Sequence, residues 1–183
     1  RLRPLCSYPG IIRKLSGPRG KKRHRMLKES VTGGKKVTPE NRRQPLVSII
    51  IPTVNQLELV EKCVVSIIKS EPSALYNREI IVVDDGSPPG LQEKLRRRLR
   101  PYPVRLLIKE KNTGFAATVN AGAAGSKGDY LCLVNSDVFF PWKYWLDPMM
   151  REVRKPRVGV VGARLLYPDG RIRLNVNAAK DPE

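Results

Sequence analysis

Tyr130-Leu131-Cys132-Leu133-Val134-Asn135-Ser136-Asp137 is the stretch on which the fold of this 183-residue chain turns. Five apolar residues run straight into Asn-Ser-Asp, with no charge before the final carboxylate. An uninterrupted apolar run of that length suits a strand buried on both faces. Open α/β sheets bind their ligands outside the carboxyl edge of the strands, so Asp137 stands where a ligand belongs. A carboxylate there is a candidate for a divalent cation that grips a diphosphate. The plainer reading is a strand-ending turn with the Asp as a helix cap.

Upstream, the same grammar repeats. Residues 46–51 (Leu-Val-Ser-Ile-Ile-Ile) predict a first strand closed by Pro52, which cannot continue a central ladder. Asn55 then predicts a helix cap, with Glu58 three residues on in the manner of a capping box. Val60, Cys63, Val64, Ile67 and Ile68 follow at helical spacing as one core-facing stripe. Residues 79–83 predict a second strand running into Asp84-Asp85-Gly86-Ser87. A basic helix over 91–99 turns Leu91, Leu95 and Leu99 inward and leaves Arg96-Arg97-Arg98 as a solvated face. A third strand over 104–108 leads to Asn112-Thr113-Gly114, and an Ala-rich helix over 115–124 leads back to the central strand.

Downstream, a helix is predicted over 143–154 with Trp145, Leu146, Met149 and Val153 inward, then a fifth strand over 158–162. Tyr167-Pro168-Asp169-Gly170 signals a hairpin turn. Strands alternating with helices at this spacing predict an α/β fold: βαβ units, a mostly parallel sheet, helices on both faces. Right-handed crossovers put Pro52-Thr53, Asp84-Asp85, residues 112–114 and residues 135–137 along one edge.

Charge divides the chain. Residues 1–44 hold 14 Lys+Arg against 2 Asp+Glu, which is two thirds of the net +18. With no sustained apolar period, residues 1–45 read as a loosely ordered basic leader, and 46–183 as the folded domain. Within the leader, Ile11-Ile12 and Met26-Leu27 are the candidates for short packed pieces. Cys6, Cys63 and Cys132 show no metal-ligand spacing, and the latter two read as core thiols. His24, the single histidine, lies among leader cations and is given no catalytic role. The chain starts with Arg and stops just past a turn, so a fragment is expected.

The two acidic junctions carry the chemistry. In Asp84-Asp85-Gly86-Ser87 the glycine permits a tight turn, and the carboxylates are able to accept hydrogen bonds from a base N–H and ribose hydroxyls. An ordinary Asp-Gly turn explains the four residues alone, but a second acidic site recurs on the same edge at Asp137. Asn112, Gly114 and Asn120 are weaker candidates.

Taken together, residues 47–55, 79–87, 112–116 with Asn120, and 135–137 resemble, in order and spacing, the family 2 glycosyltransferases of the GT-A fold. The Asn-x-Asp form and residues 162–170 look most like the rhamnosyltransferase-like bacterial branch. The resemblance covers about residues 45–172, the donor-binding half of such enzymes. It implies a nucleoside-diphosphate sugar as donor, a carbohydrate or lipid-linked acceptor hydroxyl, inversion, and Mg²⁺ or Mn²⁺ as cofactor. By position, Asp137 is the implied metal ligand. Asp85 is the implied contact to the base, with Asp84 beside it. Pro52, Thr53, Asn55, Asn112, Gly114, Asn120, Asn135 and Ser136 line the implied nucleotide-sugar pocket. Ser136 stands where many members have a second Asp, and Val54 where an aromatic is common. No residue up to Glu183 matches the family's general base, which is expected beyond it, so the chain alone is expected to bind donor with little transfer.

Three rivals were weighed. A nucleotidyltransferase wants a Gly-rich basic phosphate loop after the first strand, where this chain has Pro52-Thr53-Val54-Asn55. A nucleic-acid-binding protein would use the +18 charge, but the ordered part has few aromatics arranged for stacking, the excess sits in the leader, and no specific nucleic acid is expected. A non-catalytic family member would keep the fold and bind a partner. The expected location is the cytoplasm, with peripheral contact to the inner membrane face through the leader.

Overall fold

The computed structural model describes residues 10–13, 43–70 and 73–163. Its elements are β1 (Gly10–Arg13), β2 (Leu46–Thr53), α1 (Leu57–Lys69), β3 (Asn77–Asp84), α2 (Pro89–Leu99) and β4 (Val104–Ile108), followed by α3 (Phe115–Gly125), β5 (Tyr130–Leu133), α4 (Asp147–Val153) and β6 (Val160–Gly162). They build one six-stranded sheet in the order β4-β3-β2-β5-β1-β6. β4, β3, β2 and β5 are mutually parallel, while β1 lies antiparallel between β5 and β6. The mostly parallel α/β sheet expected from the alternating pattern is present.

Side-chain alternation along β2 divides the interior. Val47, Ile49 and Ile51 face a large core closed by α1, α2 and α4, whereas Ile50 faces a smaller one beneath α3. Ile49, Ile50 and Ile51 are fully buried, each contributing about 1.5–3 kcal/mol. The stripe read along α1 is confirmed at Val60, Cys63, Val64 and Ile67. The central strand is not equally covered: Tyr130 and Cys132 are buried, but Leu131 and Leu133 only half so, because the side they share has a single helix over it.

That helix, α3, approaches closely because its residues are small. A Cβ on Gly122 would lie 2.6 Å from Ile50 Cγ2 and 3.0 Å from Val83 Cγ2. Overpacking of this kind costs about 1–3 kcal/mol. Gly122→Val is therefore expected to lower the urea-unfolding free energy by that amount, despite the poor helix propensity of the glycine it replaces; unchanged stability would contradict this packing.

Several local expectations are corrected. Pro52 does not end the first strand, which runs on to Thr53 opposite Asp84. Ile50 sends its carbonyl toward the β5 side, where the Val134 N–H donates to it at 3.0 Å. Two residues on, Pro52 faces that same side after β5 has finished, so its missing N–H breaks no ladder bond. Asn55 is not the cap of α1: it adopts φ 56, and Gln56 takes the N-cap position with no side-chain cap hydrogen bond. The helix expected from residue 143 starts only at Asp147, with Pro148 in its first turn. Ahead of it, Phe140 stacks on Trp145 with centroids 3.7 Å apart. The fifth strand begins at Val160 and pairs antiparallel with β1.

Ile11-Ile12, expected as a packed piece, belongs to β1, with Ile11 fully buried. Met26-Leu27 and the hairpin at residues 164–173 lie outside the described residues.

Candidate functional site

Register brings the carboxyl ends of the parallel strands level. Thr53 stands opposite Asp84, and Asp84 opposite Ile108. Beyond the strands, hydrogen bonds stitch the junctions together. The Asp85 N–H donates to the Thr53 carbonyl at 2.8 Å and the Lys109 N–H to the Asp84 carbonyl at 3.0 Å. The Asn55 N–H donates to Ser87 Oγ at 2.9 Å. Ser136 Oγ donates to Gln56 Oε1 at 2.7 Å, which fastens the junction after β5 to the one after β2. All four βα junctions thus share one edge.

The two carboxylates after β3 are turned inward. Asp84 is 1% exposed and accepts from the Ser87 N–H at 3.0 Å and from Ser87 Oγ at 2.5 Å. Asp85 is 5% exposed. Its Oδ1 accepts from Lys109 Nζ at 2.5 Å and from the Thr113 N–H at 2.9 Å, and its Oδ2 from the Gly114 N–H at 2.9 Å. Lys109 also donates to Thr113 Oγ1 and, at 2.9 Å, to Thr118 Oγ1. Burial pushes the Asp85 carboxyl up, but the donors from Lys109, Thr113, Thr118 and Gly114 outweigh it and hold the group down at about 2. Asp85 is therefore ionised at neutral pH, and its first effect is to lock the loop after β4.

Two glycines make that lock possible. Gly86 has φ 74, and a Cβ there would sit 2.4 Å from the backbone of Lys111 and Asn112. Gly114, the residue before α3, has φ 87 with open space where a Cβ would point, so the backbone is free to approach a ligand. Its N–H also lies 3.1 Å from Asn112 Oδ1, so Asn112 helps shape the same turn.

On the β5 side, the Asn135 carbonyl accepts from the Val138 N–H at 3.2 Å and from Cys63 Sγ at 3.6 Å. Ser136 is buried and Asp137 half-buried. Burial, with the nearby Asp137 charge, raises the Cys63 thiol to about 12; burial and Cys63 do the same to Cys132. Both are core thiols, as their sequence positions suggested. Thr53 Oγ1 is buried at the junction edge without a hydrogen-bond partner among the described residues. Asn120 sits further along α3, exposed and outside this bonded set. Asp169, in the predicted turn, lies outside the described residues.

Lys109 and Thr118 were not singled out from the sequence, although they complete the Asp85 cluster. The available signal was a cation directly after the strand 104–108, next in the sheet to the strand bearing two carboxylates.

Among the described residues no three His, Cys, Asp or Glu side chains gather as a metal cage. The donor set nevertheless fits Mg²⁺ or Mn²⁺ in a nucleotide site. Such ions take one or two carboxylates and complete their shell with phosphate oxygens and water; Asp137, half-buried with its Oδ1 buried one residue past Ser136, is the residue that would supply one.

A parallel sheet with acidic junctions at one carboxyl edge and helices on both faces defines a GT-A-like α/β domain. The mannosyltransferase PcManGT of Pyrobaculum calidifontis, solved with GDP-Man and Mn²⁺, has this fold: TM-score 0.55, 22% identity, 74% of this chain and 40% of that one. The chain belongs to glycosyl transferase family 2, whose family model matches residues 48–178. Glycosyltransferase AglE of Haloferax volcanii is 32% identical over 130 residues, covering 69% of this chain and 42% of the relative. An uncharacterized protein of Sinorhizobium fredii is 41% identical over 137 residues, covering 70% of this chain and 14% of its own length. The chain thus spans less than half the length of these relatives.

Proposed function

We propose that this domain is the donor-binding half of a glycosyltransferase that moves a sugar, with inversion, from a nucleoside diphosphate to an acceptor hydroxyl. The observation that carries the reading is the bonded convergence of four βα junctions, with Asp137 one residue beyond the Ser136 that fastens the last of them. Family membership and the GDP-Man and Mn²⁺ bound to the structural neighbour support it. In this reading Pro52, Thr53 and the loop of Asn112 and Gly114 line the nucleotide. Asp85 serves the base side by holding the loop of Asn112 and Gly114, with Asp84 buried behind it on Ser87, and Asn135 and Ser136 flank the diphosphate. Asp137 holds Mg²⁺ or Mn²⁺, which when bound supplies Lewis acidity to the leaving diphosphate. The acceptor is a carbohydrate or a lipid-linked sugar of cell-wall or polysaccharide assembly. The domain works in the cytoplasm, and the basic leader contacts the membrane.

The test is titration calorimetry of the full chain against UDP-, GDP- and dTDP-sugars, with Mn²⁺ and with EDTA. Binding of at least one donor, strengthened by Mn²⁺, is expected together with little transfer to sugar acceptors. Failure of every donor to bind, or robust transfer by the chain alone, would overturn the reading.

A further inference from the structure

We infer that the outer face of the α1–α2 layer is a docking surface for an anionic lipid bilayer, separate from the leader. α1 and α2 cover the same side of the sheet. Between them they expose Lys62, Lys69, Arg96 and Arg97, with Arg100 at the end of α2. None of the five is held in an ion pair among the described residues. Of the three glutamates on the two helices, Glu61 is already neutralised, accepting from Arg98 at 2.9 Å and from the Tyr102 hydroxyl at 3.5 Å, while Glu58 and Glu93 are exposed and leave the cations in excess. A helix C-terminus favours cations through its dipole, but that effect fades beyond the last turn and does not account for Lys62 or the breadth of the patch.

Shape points the same way. One shallow concavity of ≈ 330 Å³ runs over α1 between Tyr102 and Phe139, with Lys62 and Lys69 on its walls. A second of ≈ 310 Å³ lies beyond Tyr102, walled by Arg96 and Arg100 over an apolar floor of Leu99, Val104 and Leu106. Tyr102 is common to both, so the two form one surface. Phe139 is 50% exposed at its margin. Cations around an aromatic are what a headgroup layer recognises: the charges meet phosphates, and the ring enters the interface. No helix among the described residues is long and apolar enough to cross a membrane, so contact made by this part is peripheral. α2 runs from the junction edge back to the opposite end of the sheet, where Arg100 precedes β4. Docking there leaves the junction edge open to solution.

Each cation close to an anionic surface is worth roughly fivefold in partitioning, so R96Q/R97Q/R100Q should bind on the order of a hundredfold less. The experiment is flotation of the full chain with phosphatidylcholine vesicles and with phosphatidylcholine–phosphatidylglycerol vesicles, at low and high salt. Wild type should float with the anionic vesicles only and release at high salt. The triple variant and Phe139→Ser should both float less, with circular dichroism and melting unchanged because all four side chains are exposed. Vesicle binding by either variant at the wild-type level would overturn the proposal, as would absence of flotation by wild type. Loss of single-stranded oligonucleotide binding by the triple variant, with vesicle binding intact, would reassign the face to nucleic acid.

Discussion

In the Asp137→Asn variant, Mn²⁺-dependent binding of a nucleotide-sugar is expected to fall by at least about a hundredfold, with unfolding free energy within about 1 kcal/mol of wild type. The size follows from how little else the protein offers the ion. No three acidic, Cys or His ligands gather among the described residues, so in the proposed reading Asp137 would hold the metal as a single carboxylate, with water and the ligand's phosphates completing the shell. The asparagine keeps the shape and loses the charge. EDTA should weaken wild type to the level of the variant and should not weaken the variant further. That non-additivity separates a metal ligand from a residue that merely shapes the edge. Equal EDTA sensitivity in variant and wild type would remove Asp137 from the metal site.

The strands were legible in the sequence because β-branched runs such as residues 47–51 and 80–83 have no other comfortable home than a covered sheet. Their alternation with helical stripes fixed the parallel order and the shared edge. What stayed hidden depended on contacts between segments distant in sequence. Pro52 is tolerated inside β2 only because the neighbouring β5 is short, and strand lengths are not written locally. Asn55 has the residue type of a cap, yet its N–H is drawn to Ser87 Oγ, 32 positions away, and the helix starts later. β1 is four residues inside a strongly basic stretch, too short for any period to announce it. At the site, the acidic motifs were found where expected, but their orientation was not. Asp84 turns its oxygens onto Ser87 of its own junction and Asp85 onto the loop after β4, and the cation that holds Asp85, Lys109, reads in sequence as a solvated lysine after a strand.

Lys109→Met should therefore lower stability at neutral pH by about 2 kcal/mol, or roughly 4–8 °C in melting temperature for a chain of this size. The Lys109 and Asp85 side chains are 18% and 8% exposed, so solvent screens the pair little. Asp85 has its folded value depressed from 3.8 to about 2. Its contribution is therefore full above the unfolded value and is lost as pH falls through the folded one. Without the ammonium, burial is opposed only by Thr118 and the N–H groups of Thr113 and Gly114, so the Asp85 value rises. The variant then has less to lose on acidification, and the two stability curves should converge between about pH 4 and pH 2. Urea unfolding at pH 7 and at pH 3 measures this directly. A deficit that stays constant across that range would mean that Lys109 acts through packing of its stem and not through Asp85. Because Gly114 hangs from the same carboxylate at 2.9 Å, the variant should also bind donor several-fold more weakly, in Mn²⁺ and in EDTA alike. Insensitivity to metal would distinguish that loss from the one at Asp137: in the proposed reading one side chain would engage the ion, and the other holds the loop that would face the nucleotide.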